Sequence, residues 1–219
     1  MTCVIDTPVT ATATTSARPR TRALLAGGVA AGPLFLGTGL VQGLTRDGFD
    51  FTRNAISQLS LGGLGWIQRT SFVLTGLLVI AGAAGVGRVL RDRPREVRAA
   101  RLIGVFGASF LLAAAFTADP GRGFPAGTPD TPTAALSWHG ALHMVSGAVG
   151  YLALCAALLV LARHFAAQHR PGWAAGCRVV PLAVVAGFAG SSSAVLAFTL
   201  GAGLGLLWLA AVSVRLTRA

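Results

Sequence analysis

Charge is what this sequence has least of. Of 219 residues only 11% are charged, lysine is absent, and seven residues are acidic. Soluble globular chains carry roughly 25% charged residues, so the deficit excludes an ordinary soluble enzyme. A hydrophobic content of 53% equally excludes a disordered chain. Cysteine is scarce too. Cys3, Cys155 and Cys177 show no CxxC spacing and no extracellular pair, which excludes a disulfide framework and a cysteine zinc site. Cys155 lies inside an apolar run and reads as a small packing residue. Cys177, beside Arg178, is expected at the cytoplasmic membrane edge. A phosphate loop, a dinucleotide fingerprint, a nucleophile elbow and paired catalytic carboxylates are all missing. Gly62-Gly63-Leu64-Gly65 precedes an apolar run and reads as a turn. No internal repeat of the kind that marks many transporters is visible.

What is present is apolar sequence in runs long enough to cross a bilayer, with a mean hydropathy of +0.68. Residues 1–21, with seven threonines and two prolines, predict a disordered cytoplasmic tail, and residues 22–219 a transmembrane domain. Ala23–Leu44 is uncharged and longer than the apolar core of a secretory signal, so it is expected to be the first span. The second is expected between Arg69 and Arg88, with Trp66 as an interfacial anchor. The third is expected between Arg101 and Asp119, and the fourth over 137–162. Residues 179–214 carry no charge. As one helix they would extend about 54 Å at ~1.5 Å per residue, well beyond a hydrocarbon core of ~30 Å. Two helices fit if the first begins near Trp173, Arg178 snorkels to the headgroups, and Gly190-Ser191-Ser192-Ser193 forms a tight turn. The expectation is an all-α polytopic membrane bundle of about six helices.

The formal charge of +11 could suggest nucleic acid, but its distribution has a membrane explanation. With both termini cytoplasmic, six spans put fourteen of the eighteen arginines inside and leave Arg46, Arg53, Arg69 and Arg122 outside. That is the asymmetry of a multi-pass protein in the plasma membrane. Its expected partner is membrane lipid, attracted to the basic face, and no nucleic acid is needed. Gly28 and Gly32, Gly39 and Gly43, and Gly201 and Gly205 are each spaced i, i+4, which suits close helix approach within the bundle or in a homo-oligomer.

The polar residues that composition leaves unexplained gather on the outer side. If residues 50–60 are helical, Asp50, Arg53, Asn54 and Ser57 share one face of an amphipathic segment that could bind a lipid headgroup or small polar ligand, or line an entrance. The plainer alternative is a salt bridge between Asp50 and Arg53, with Ser57 as a helix cap. The second outer loop starts at Asp119 and is rich in glycine and proline, so it reads as an ordered lid or connector, with Arg122 available to pair with an acid of the first loop. His139 and His143, four apart, share a helix face, as two metal-binding imidazoles require. Asp119, Asp47 and Asp50 lie on the same side and could complete a zinc shell. Against this, there is no HExxH glutamate and no third intramembrane histidine. His164 and His169 fall at the opposite face, which disfavours haem. Other uses of the pair are ligand binding, proton handling or structural hydrogen bonding near the interface. No cofactor is expected on balance, with zinc the exception the pair leaves open.

Several stretches together resemble the bacterial membrane-protein family catalogued as domain of unknown function 998. They are D-F-T-R-N-A-I-S-Q-L at 50–59, Gly65-Trp66-Ile67-Gln68, and Phe72-Val73-Leu74-Thr75-Gly76. Asp119-Pro120, Phe124-Pro125-Ala126-Gly127-Thr128-Pro129 and Ser137-Trp138-His139-Gly140-Ala141-Leu142-His143 reinforce them. The resemblance covers about residues 24–215 and implies a bundle of about six helices in a bacterial inner membrane. It carries over no catalytic role. Three readings follow: an outward-facing polar site on a membrane protein, an intramembrane metal-dependent hydrolase using His139, His143 and Asp119, or a non-catalytic scaffold.

Overall fold

The computed structural model describes residues 19–131 and 135–218. Most of the expected tail, and Cys3 with it, lies outside the described residues. Six helices follow: α1 (Pro19–Thr45), α2 (Gly65–Val89), α3 (Arg98–Ala115), α4 (Trp138–Ala167), α5 (Pro171–Ala189) and α6 (Val195–Thr217). All six are long and apolar enough to cross a membrane, so the chain is a multi-pass integral membrane protein. Proline opens α1 and α5 at positions where its missing N–H costs nothing. The α5–α6 connection is a turn beginning at Gly190, as the charge-free run of residues 179–214 required.

Each helix packs against its sequence neighbours, and α6 returns to α1, so the six close into a ring. No more than 44% of the most apolar stretch of any span is buried. Leu40, Leu74, Leu152, Leu182 and Leu200 are among the exposed side chains. These helices are apolar all round, because one face meets the bundle and the other meets hydrocarbon. At the end of the ring that carries the chain termini, the interior is filled. Leu25, Val86, Ile103, Leu158, Leu161, Leu209 and Val212 are all at most 1% exposed. Cys177 belongs to this core and is fully buried, with the Trp208 indole N–H donating to its sulfur at 3.3 Å. It is therefore not the accessible edge residue that its neighbour Arg178 suggested.

Small residues set the closest helix approaches. A Cβ on Gly28 would lie 2.5 Å from Ser213 Oγ, and one on Gly201 would lie 2.8 Å from the Ala183 carbonyl oxygen. Those glycines serve helix packing, as their spacing implied. Gly39 and Gly43 do something else. A side chain there would run into Ile56 and Phe51 of the first loop, so this pair makes room for a loop rather than a helix.

The end of the ring opposite the termini is covered by two long loops. Residues 50–60 are not the continuous amphipathic helix considered from the sequence. They form a turn over 51–54 and a short 3-10 helix, Ile56–Ser60, with Ile56 and Leu59 buried. The physical reason is Asn54, which is fully buried and hydrogen-bonded on several sides, so the chain bends around it. The second loop packs on the first through Phe124, which meets Phe49 edge-on at 5.2 Å, as Phe49 meets Phe51 at 5.1 Å.

Candidate functional site

Beneath this cap the ring is hollow. A cavity of about 380 Å³ occupies its loop-side half, and all six helices contribute to its wall. That size is within the range of small-molecule sites built between the helices of bundles. Aromatic rings dominate its wall: Phe35, Phe72, Phe110, Tyr151, Phe188 and Phe198. Several hold one another in place. Phe35 packs edge-on against Phe110 at 5.2 Å, and Phe188 packs edge-on against Phe198 at 4.8 Å. Ala55, Ile56 and Ser57 contribute the roof, while Met144 and Ser192, both exposed, mark a rim between α4 and the α5–α6 turn.

Of the residues singled out from sequence, the structure brings Ser57 and His143 to this cavity. His143 is placed by the start of α4. Ser137 caps that helix, its hydroxyl accepting from the Gly140 amide at 3.0 Å. Asp119 then receives the Ser137 amide at 2.9 Å and the Ser137 hydroxyl at 2.6 Å. Its negative charge thus sits against the positive end of the helix. Gly140 leaves the room, since a Cβ there would collide with the Asp119 carboxylate. One turn into the helix, His143 Nδ1 lies 2.8 Å from the Phe116 carbonyl oxygen. A carbonyl only accepts, so Nδ1 carries the proton and Nε2 is the acceptor of the neutral ring.

His139 stays at the rim of the bundle, against Trp138 at 3.6 Å and Phe116 at 6.0 Å between ring centres. His139 and His143 thus both lie beside Phe116, while both carboxylate oxygens of Asp119 are engaged by Ser137. Among the described residues no three His, Cys, Asp or Glu side chains gather as a metal site would require.

Asp50, Arg53 and Asn54 form the cap. The Thr52 amide and hydroxyl donate to Asp50 at 2.8 and 2.7 Å and hold its carboxyl below its ordinary range. Arg53 pairs across the loops with Asp130, rather than with Asp50. Asn54 accepts from the Asp50 amide at 3.0 Å and donates to the Gly121 and Arg122 carbonyls at 3.4 Å. Arg122, expected to reach an acid of the first loop, has its amide donating to the Thr131 carbonyl at 2.8 Å.

Sequence reasoning missed Gln58 as a site residue. It accepts from the Ala55 amide at 3.1 Å and donates to the Asp119 carbonyl at 3.2 Å, tying the roof to the start of the second loop. Arg46 was missed as well. It spans the cap with bonds of 2.6 Å to the Leu59 and Leu61 carbonyls and lies 4.9 Å from the Phe124 ring centre. Burial lowers its guanidinium below the ordinary value. The aromatic wall had no local signal, because its members lie on different helices and only ring closure brings them together.

A family model described as "Protein of unknown function (DUF998)" matches residues 29–215, from within α1 to near the end of α6. No curated protein and no solved structure matches the chain.

Proposed function

The chain belongs to the DUF998 family, whose description names no activity, and on that premise we propose that its loop-side cavity binds an amphipathic lipid. The observation that carries this reading is the cavity itself: lined mainly by aromatic and aliphatic side chains, roofed by the cap, and bordered by Ser57, Ser191 and Ser192. An apolar chain removes water-exposed or lipid-exposed surface by entering such a space, while its polar group stays among the hydroxyls. Handling a lipid in this way requires no reaction. The hydrolase reading gains no support from the placement of His139, His143 and Asp119. The positive-inside bias supports a plasma-membrane location with both termini in the cytoplasm, and hence a cavity on the outer half.

A plug tests the binding reading. Gly147 lines the cavity, and a Cβ there would have no described atom within 4 Å, which leaves space for a side chain to start. Gly147→Phe should fold, since it adds volume to empty space and replaces a glycine within a helix. Native mass spectrometry of protein released from gentle detergent should show a bound lipid on the wild type and none on the variant. Equal lipid on both would move the binding site elsewhere.

A further inference from the structure

Among the described residues, the cavity wall contains no arginine, lysine, aspartate or glutamate. The four arginines of the loop side lie outside it. Arg46 is held by two carbonyls, Arg53 by Asp130, and Arg69 donates to the Ala114 carbonyl at 3.2 Å. A phosphate or carboxylate drawn into the cavity would lose water and find no counter-charge, which is a strongly unfavourable exchange. The polar groups that do face it are neutral. Tyr151 already donates its hydroxyl, at 3.4 Å, to the Ala202 carbonyl, and Ser109 donates to the Phe106 carbonyl at 2.7 Å. Thr199 is different. Its hydroxyl is buried and has no hydrogen-bond partner among the described residues. His143, with Nδ1 committed to Phe116, has an acceptor at Nε2 in its neutral form.

From this we infer that the cavity selects an uncharged single-chain amphiphile, one whose head offers a hydroxyl, over the phosphorylated form of the same molecule. The inference rests on the lipid-binding reading above and adds the ligand class. A hydroxyl head can donate to the neutral imidazole and accept from the orphaned Thr199 hydroxyl, so it supplies what the wall lacks. A phosphate monoester supplies acceptors and charge to a wall in which no described residue is an arginine or lysine.

The test uses full-length protein in phosphatidylcholine nanodiscs and two probes that differ only in the phosphate. They are mono-oleoylglycerol and the lysophosphatidic acid with the same oleoyl chain. Binding of each is measured for the wild type, Gly147→Phe and Thr199→Val. Mono-oleoylglycerol should bind the wild type tighter than lysophosphatidic acid by roughly tenfold or more in Kd, and Gly147→Phe should abolish it. Thr199→Val removes a buried hydroxyl that has no hydrogen-bond partner among the described residues, so the variant should be at least as stable as the wild type. Its affinity for mono-oleoylglycerol should nonetheless fall several-fold. Equal or tighter binding of lysophosphatidic acid, still lost in Gly147→Phe, would overturn the neutral-head inference and keep the lipid site. Binding of both probes unaffected by Gly147→Phe would overturn both. Unchanged affinity in Thr199→Val would remove Thr199 from the recognition of the head.

Discussion

Asn54 and Arg53 are adjacent, and their environments assign them very different weights. Asn54 is fully buried and holds groups from both loops, so Asn54→Leu leaves the Gly121 and Arg122 carbonyls and the Asp50 amide without this partner. Leaving buried polar groups unpaired costs about 1–3 kcal/mol, and denaturant titration of purified protein should show a loss of that order. The Arg53–Asp130 pair has side chains 42% and 67% exposed, and such pairs are worth about 0–1 kcal/mol. Arg53→Ala should therefore be nearly silent in the same titration. Asp119 is also a structural residue here, since both carboxylate oxygens are engaged by Ser137. A zinc ion would have to take it from the α4 cap. Elemental analysis of protein purified without chelator is expected to find no stoichiometric zinc. One equivalent of zinc that disappears in the double variant His139→Ala, His143→Ala would make the hydrolase reading the better one.

The cap is held to α1 by complementarity of shape, and glycine supplies the space. Phe51 rests where a side chain on Gly43 would stand, and Ile56 does the same at Gly39, with 2.8 Å between its Cγ2 and a hypothetical Cβ. Gly43→Leu should lift the cap and destabilise the protein by about 1–3 kcal/mol, the usual penalty for overpacking. Adding Phe51→Ala to that variant should recover part of the loss, because the incoming side chain then occupies the vacated volume. Thermal unfolding of the two single variants and the double variant checks this. Full additivity of the two losses would show that Phe51 and Gly43 do not share the contact. At the other end, α4 continues to Ala167, and His164 is buried with its Nδ1 against the carboxylate of Glu96 in the α2–α3 connection. Gln168 reaches the second nitrogen of the same ring at 3.0 Å.

The whole molecule is a ring of six helices filled at one end and hollow at the other. Its orientation is testable by labelling, although not through Cys177, which the core hides. In a cysteine-free background, Gly63→Cys sits in open space on the loop side, and Asp92→Cys sits 85% exposed on the side of the termini. A membrane-impermeant maleimide should label the first in intact cells and the second only after permeabilisation. The reverse pattern would turn the cavity toward the cytoplasm.

The amino-acid sequence by itself determined the number of spans, their approximate ends and the likeness to the family. Each of these is a local property: an uncharged run either reaches across the hydrocarbon or does not, and arginine is costly anywhere else. It also singled out residues 50–60 and 119–143, because polar residues that composition leaves unexplained cluster there. Their roles were decided only by the tertiary structure. Asp50, Arg53, Asn54 and Gln58 hold a cap together, Asp119 starts α4, and Ser57 and His143 reach the cavity. A helical wheel places residues on a face but does not say whether the chain bends. Here a buried asparagine satisfied by carbonyls more than sixty residues away made it bend. The cavity was illegible for the same reason: a void is a relation between helices distant in sequence, and most of what each contributes looks like ordinary membrane packing.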